Sequence, residues 1–517
     1  MAVKQKVVKL RSCFADGVAV TCSDIEISLS PGIPTFDIIG LCDSSIRESR
    51  GRITSAVRSC GYLMPKGHIT VNISPAYMHK SGSGFDLPIA LGILFLTGSI
   101  PYSDNLSIYA QGEVSLGGEI RGTPGAICRL MEADKTHSDI VLIPEDEIYA
   151  AACTGIRCMP VRTLRNACEI FEEYCYEGEE YSLNSITVNG KIPTHSLSDL
   201  KGQEKASEAI TIACSGMHSI LMLGSPGSGK SFSAEIIAGL LPDPDRDEIS
   251  QYLALQELSG TLDINDLSVS RPFRRIYSNC TLGKLKGKAG TWIPGELALA
   301  NNGLLFADEI CEFDPSIIEE LKMPLEEHVL RINKDGKTVQ IPASFLFAAS
   351  GNPCRCGMFY EEGNKCRCTP TVRRKYLGKL SGGFLDRIDI FTEMRSVSQS
   401  ALEEMTSGSD NDALNLQAKQ KIQRAWDMQS RRFGWKSGEN KVFNGTCSVV
   451  DREMFRFDEE VSGIAAQAAK QTGLSGRGYL KLIRVARTIA DMKGSENILV
   501  EHIKQALIYK VNKDVIR

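Results

Sequence analysis

The 517 residues exceed what one ordinary hydrophobic core encloses, so about two to four domains are expected. A composition of 42 % hydrophobic and 24 % charged residues is that of a soluble globular protein. The net charge of −4 excludes bulk attraction to nucleic acid or an anionic membrane, so any such partner must be held by a local patch.

Seventeen cysteines are scattered along the chain, and Met1–Cys13 is basic without the apolar segment of a secretory signal. Reduced thiols and one metal site are expected, in a cytoplasmic protein. The longest apolar run, Leu87–Leu96, is too short to span a bilayer, so no membrane partner is expected.

Residues 1–175 read as a compact α/β domain. Val18–Thr21 and Ile25–Leu29 alternate as half-buried strands, Ser44–Cys60 has helical spacing, His68–Ile73 reads as a strand and Leu87–Leu96 as a buried helix. Gly112, Gly117, Gly118 and Gly122 bracket a hairpin. A polar linker covers 176–198, a nucleotide-binding domain covers 199–395, a second flexible joint covers 396–412, and 413–517 is helix-patterned.

Within the second domain, Gly224-Ser225-Pro226-Gly227-Ser228-Gly229-Lys230-Ser231 follows the apolar strand Ser219–Leu223 and precedes a helix over Phe232–Leu241. The spacing is that of a loop whose backbone N–H groups wrap the phosphates of a nucleoside triphosphate, with Lys230 reaching the β- and γ-phosphates and the Ser231 hydroxyl on Mg²⁺. Lys284, Lys286 and Lys288 alternate with glycines as a flexible basic loop, with Arg271, Arg274 and Arg275 nearby. Downstream, the apolar strand Gly303–Ala307 ends in Asp308, placed to position Mg²⁺, and Glu309, placed to polarise the attacking water. Arg331–Ile341 alternates around Asp335-Gly336 as a hairpin with Lys334 and Lys337 at its tip. The strand Ser344–Ser350 leads to Asn352, which could orient that water. Cys354-Arg355-Cys356 and Cys366-Arg367-Cys368 place four thiolates on one short loop, a set suited to tetrahedral Zn²⁺ with a structural role. Arg387 follows a Gly-rich turn, as an arginine finger does, and Arg477 opens a helix from which it could read the γ-phosphate.

This order resembles an AAA+ ATPase and, more closely, the magnesium-chelatase-like ComM/YifB family. The matching stretches are Asp199–Gln203, Arg271–Arg274, Pro294–Ala300, Leu380–Gly382 with Leu385–Arg387, and Arg484–Asp491; Val71–Ala76 and Phe85–Ala90 extend the resemblance over nearly the whole chain. It implies an α/β architecture: a Lon-protease-like (S5-like) domain over 1–175, an AAA+ P-loop core over 199–395 with a Cys-rich loop at 354–368, and a helical lid over 413–517. By the same resemblance Lys80–Gly84 falls at the protease's nucleophile turn with Gly84 at the nucleophile position. The partner lysine is missing from Thr123–Ile127, so proteolysis is not expected.

The resemblance further implies a hexameric ring with ATP between subunits: Lys230, Ser231, Asp308, Glu309, Asn352 and Arg477 from one, Arg387 from its neighbour. It implies movement on single-stranded or branched DNA by branch migration, with Lys284, Lys286, Lys288, Lys334 and Lys337 tracking phosphates. A chelatase-type motor that remodels a protein partner is the alternative. The chain departs from the family pattern at Arg275-Ile276-Tyr277, where the family has Pro-His-His.

Overall fold

The computed structural model describes residues 7–510 apart from 18, 42, 78–79, 81, 175, 177, 181–194, 201, 265, 268, 289–292, 335–336, 362, 364, 397–411 and 449. The chain forms two compact units. One comprises Met1–Thr187, Arg246–Val269 and Gly290–Ile293; the other comprises Val188–Asp245, Ser270–Ala289 and Pro294–Arg517. Most of the expected linker and joint, like Ser81, lies outside the described residues.

The first unit is built on one mixed sheet. Its strands are β1 (Val7–Asp16), β2 (Ala19–Ser30), β3 (Thr35–Ile39), β4 (His68–Ile73), β5 (Ile108–Ala110), β6 (Ile140–Pro144), β7 (Arg157–Val161) and β8 (Glu179–Glu180), in the order β8-β7-β6-β5-β1-β2-β4-β3. A single strand β2 replaces the two expected over 18–29. Pairing with β1 runs unbroken from Asp16–Ala19 to Val7–Ser28, and Ser23, Ile25 and Ile27 alternate into the core. The helix Ser44–Ser59 starts where the Asp43 carboxylate accepts the Ile46 N–H at 3.0 Å. The helix Asp86–Thr97 is buried from Asp86 to Phe95. Each of its large apolar side chains contributes roughly 1.5–3 kcal/mol by burial, which accounts for a run with no polar face. The expected glycine-bracketed hairpin is present as Glu113–Val114 against Ile120–Arg121.

Two findings in this unit correct the sequence reading. Cys13 and Cys22, directly opposed on β1 and β2, are joined in a disulfide, so the expectation of reduced thiols throughout does not hold. The expected unbroken span 199–395 is also interrupted. The helix Arg246–Ser259 inserts Ile249 and Leu253, one turn apart, into the first unit's core beside Ile127, Val141 and Ala151. Its Glu257 carboxylate accepts the N–H groups of Gly125, Ala126 and Ile127 at 3.1, 2.8 and 3.0 Å. It thereby supplies the N-terminal cap that the helix Ala126–Asp134 lacks from its own Gly125.

The second unit holds an all-parallel sheet of β9 (Ile220–Gly224), β10 (Phe273–Ile276), β11 (Leu304–Ala307), β12 (Leu346–Gly351) and β13 (Ile390–Met394), in the order β10-β11-β12-β9-β13. β9, β11 and β12 are buried at every position, as a parallel sheet covered on both faces requires. The C-terminal helices Asp412–Phe433, Glu459–Gln471, Gly476–Lys493 and Val500–Ile508 share this core: Ile422, Trp426, Ile483 and Ile503 pack with Ile212 and Ile220. The Trp426 indole N–H donates to the Cys214 carbonyl at 3.0 Å. The expected hairpin is present as Val329–Lys334 against Lys337–Pro342, with Lys334 opposite Lys337; its turn lies outside the described residues.

Candidate functional site

Parallel register brings the strand tips of the second unit together. Leu223 lies opposite Gly351 and Ala307 opposite Ala349, so the phosphate loop, Asp308 and Asn352 all leave the same edge of the sheet. Gly224 cannot be replaced without cost there, because a Cβ would lie 2.4 Å from the Met394 carbonyl oxygen. The helix Lys230–Leu240 begins inside the motif, and its first-turn N–H groups point out of the helix end, where they can meet an anion.

Lys230 Nζ donates to the carbonyls of Gly224 and Ser225 at 2.7 and 2.6 Å. Burial pushes its pKa down to about 8, against the opposing pull of Asp308 and Glu309. Asp308 accepts the Ser350 hydroxyl at 2.6 Å and Arg275 Nη2 at 2.7 Å, while the Glu309 N–H donates to Ser350 Oγ at 3.1 Å. Glu309 is exposed and has a left-handed backbone (φ 58°). The residues present fit a nucleotide with its magnesium ion: a glycine cradle, an ammonium, and hydroxyl and carboxylate oxygens at Ser231 and Asp308. Ser350 and Arg275, which hold Asp308 in place, were not singled out from the sequence in that role. Only their position on the two strands that flank β11, one on either side, brings them there.

The two arginines lie together elsewhere. Arg387 donates through Nε to the Lys322 carbonyl at 2.9 Å, through Nη1 to the Gly383 carbonyl at 2.7 Å, and through Nη2 to the Glu326 carboxylate. Arg477 Nη2 is 2.9 Å from the other oxygen of Glu326. Both line a cavity of about 330 Å³ with Lys481, Arg484 and His328, and no phosphate-loop residue is among its lining. The expected placement of Arg477 with Lys230 is therefore not what the structure presents: the helix Gly476–Lys493 carries it to the partner of Arg387. In the wall of the cavity, Asp389 binds His218 Nδ1 at 3.0 Å and Lys481 at 2.9 Å. Burial opposes its ionisation, but Lys481 and the hydrogen bond from His218 hold its carboxyl well below the usual range.

Cys354, Cys356, Cys366 and Cys368 bring their Sγ atoms within 4.8 Å of one another. Three of the separations are 3.4, 3.6 and 3.7 Å. Four thiolates at ~2.3 Å from a tetrahedral Zn²⁺ would lie about 3.8 Å apart, so the cluster fits that ion. Burial pushes the Cys354 thiol up to about 12, whereas backbone N–H groups of Met358 and Arg367 bring Cys356 down to about 6.

The basic set corrects the expectation of a flexible loop. Leu282–Lys286 is a short helix capped by the Thr281 hydroxyl, and Gly287–Lys288 pairs as a strand with Ile293–Pro294. Lys286 pairs with Glu320 at 2.9 Å, and Lys284 approaches Glu296 at 3.9 Å. Arg271, Arg274 and Arg275 are taken up by the Pro242 carbonyl, Glu296 and Asp308. Lys288 is exposed.

In the first unit Ser83 donates to Glu113, and the fully buried Lys80 donates to the Pro75 carbonyl at 2.6 Å. Beyond Thr123–Ile127 the buried cation is Arg129, paired with Glu147 at 2.7 Å, and an arginine cannot serve as the base of a serine–lysine dyad.

Against this geometry the comparisons with known proteins are consistent along the chain. Residues 196–402 match the family of the magnesium chelatase subunit ChlI, 25–147 a second ChlI family, and 415–510 the ChlI C-terminal family. The competence protein ComM of Haemophilus influenzae is 31 % identical over 504 residues, covering 96 % of this chain and 95 % of that one. The chain belongs to the ComM/YifB-type magnesium-chelatase-like family. YifB of Escherichia coli is 30 % identical over 494 residues with the same coverage. The magnesium-chelatase subunit ChlI of Mesostigma viride is 22 % identical over 366 residues, 64 % of this chain and 91 % of its own. The parallel sheet with its phosphate loop is thus an AAA+-like ATPase domain of the chelatase type. Among the described residues no helix is long and apolar enough to cross a membrane.

Proposed function

We propose that this protein is a ring-forming ATPase, expected as a hexamer, whose hydrolysis drives movement on single-stranded or branched DNA. The observation that carries the ring is the separation of two half-sites. Lys230 sits under the influence of Asp308 and Glu309, while Arg387 and Arg477 meet on Glu326 in a cavity with no phosphate-loop residue. Each copy then binds ATP through Gly224–Ser231 and completes its neighbour's site with both arginines. Asn352 orients the attacking water, and Glu309 takes its proton as the water oxygen bonds to the γ-phosphorus. The bond from that phosphorus to the β–γ bridging oxygen breaks, and ADP leaves with the electron pair. Lys230 and the two arginines counter the charge that develops on the departing phosphate oxygens. Ser231 and Asp308 would hold a magnesium ion, which would supply positive charge against the phosphates.

The DNA reading has support from the similarity to ComM over 96 % of the chain, from the hairpin with Lys334 opposite Lys337, and from the exposure of Lys284 and Lys288 in the second basic set. Branch migration is the activity we assign on that resemblance. We assign the first unit a Lon-protease-like fold without proteolysis, the C-terminal helices the role of a lid, the cysteine cluster a structural zinc ion, and the protein a cytoplasmic location. The similarity to chelatase ChlI favours one alternative, a motor that remodels a protein partner. Hydrolysis assays on wild type and Lys230→Ala, with and without branched or single-stranded DNA across a salt series, separate the two. Stimulation that fades as salt rises is expected, with no turnover in the variant; hydrolysis indifferent to DNA would remove the DNA reading.

A further inference from the structure

Two like-charged guanidinium groups repel unless something holds them, and here one carboxylate does. Glu326 occupies the last turn of the helix Pro315–Glu327 and gives one oxygen to Arg387 and the other to Arg477. Arg387 is pinned further by the Lys322 and Gly383 carbonyls, but Arg477 is more than half exposed, and among the described residues its side-chain ion pair is with Glu326. The two arginines come from segments about ninety residues apart, so no local backbone geometry fixes their spacing. The helix bearing Glu326 also begins six residues beyond Glu309, the carboxylate of the same copy's own site.

We propose that Glu326 is the positioning residue for this arginine pair: it sets the two guanidinium groups side by side so that both address one phosphoryl group of an adjacent copy. This rests on the reading that the arginines act on a neighbour's nucleotide. Glu326 touches no substrate of its own copy; it acts through the arginines it donates to the next. Its removal therefore slows turnover without weakening ATP capture, which belongs to the phosphate loop.

The test uses the full chain in mixed assemblies. Lys230→Ala subunits can donate arginines but cannot hydrolyse, and Arg387→Ala subunits keep an intact phosphate loop. Mixing the two restores hydrolysis if arginines act between copies; no restoration overturns that reading and this inference with it. The decisive arm replaces the donor by Lys230→Ala/Glu326→Gln. Restoration roughly tenfold lower in kcat, with KM for ATP within about twofold, is expected. Equal restoration by both donors overturns the role of Glu326 while leaving the neighbour reading intact. In unmixed assemblies Glu326→Gln should add little to the loss caused by Arg477→Ala, because the two act as a unit; multiplied losses would contradict the inference. Since Glu326 is 39 % exposed, melting curves of the variants should overlay that of wild type.

Discussion

Lys230 carries an ammonium that burial has made reluctant to stay charged. Its pKa of about 8 stands below that of a free lysine because the loss of hydration outweighs the attraction of Asp308 and Glu309. A bound triphosphate favours the protonated amine. Below pH 8 the group is already charged and affinity for ATP is expected to be level. Above it, binding must take up a proton, so affinity falls with a slope approaching about tenfold per pH unit. Titration with a fluorescent ATP analogue between pH 7 and 9.5 checks this, and level affinity through pH 9 would contradict it. The motif containing Lys230 is legible in sequence because its spacing is local. Arg275 and Ser350, which hold Asp308, were not given that role, since only strand order brings them to it. Glu326 is hidden for the same reason: a carboxylate near a helix end announces nothing until two distant arginines arrive.

At the scale of elements, the cysteine loop has a stake in the nucleotide site. Gly357 adopts φ +78°, and a Cβ there would lie 2.5 Å from Pro226 of the phosphate loop, so the turn between the two cysteine pairs packs directly on the cradle. Four thiolates closing on a metal would fix that turn. Purified protein should hold about one zinc per chain by elemental analysis. Cys356→Ser/Cys366→Ser should lose the metal and bind ATP several-fold more weakly, while secondary structure by circular dichroism is retained. Unaltered ATP affinity in a metal-free variant would disconnect the loop from the site. Elements with strong local signals, such as the hairpin around Asp335-Gly336 and the helix Ser44–Ser59, could be read from the chain. The helix Arg246–Ser259 is not legible in place from the chain, since Ile249, Leu253 and Glu257 serve the core and a helix cap of the first unit, to which it belongs. Nor is the basic run 284–288, which local glycine content marks as loose, but Glu296 and Glu320 give it fixed partners.

The whole molecule, taken as one copy, has a phosphate loop at one strand edge and an arginine pair committed to its own Glu326. If each copy completes the next, hydrolysis is a property of the assembly and must follow mass action. Specific activity at saturating ATP and magnesium should then fall as the protein is diluted, in step with loss of the assembled species in sedimentation. Arg387→Ala should assemble normally and remain inactive at every concentration, because its defect lies in chemistry and not in association. ATP should also shift the assembly curve to lower protein concentration, since a phosphate shared between copies binds the pair more tightly than either alone. DNA that threads a ring contacts several copies together and should shift it in the same direction, with a salt dependence that ATP does not share. Activity per chain that stays constant across a hundredfold dilution, while sedimentation reports single copies, would mean that one chain hydrolyses ATP by itself. The arginine pair would then have to leave Glu326 and reach its own phosphate loop.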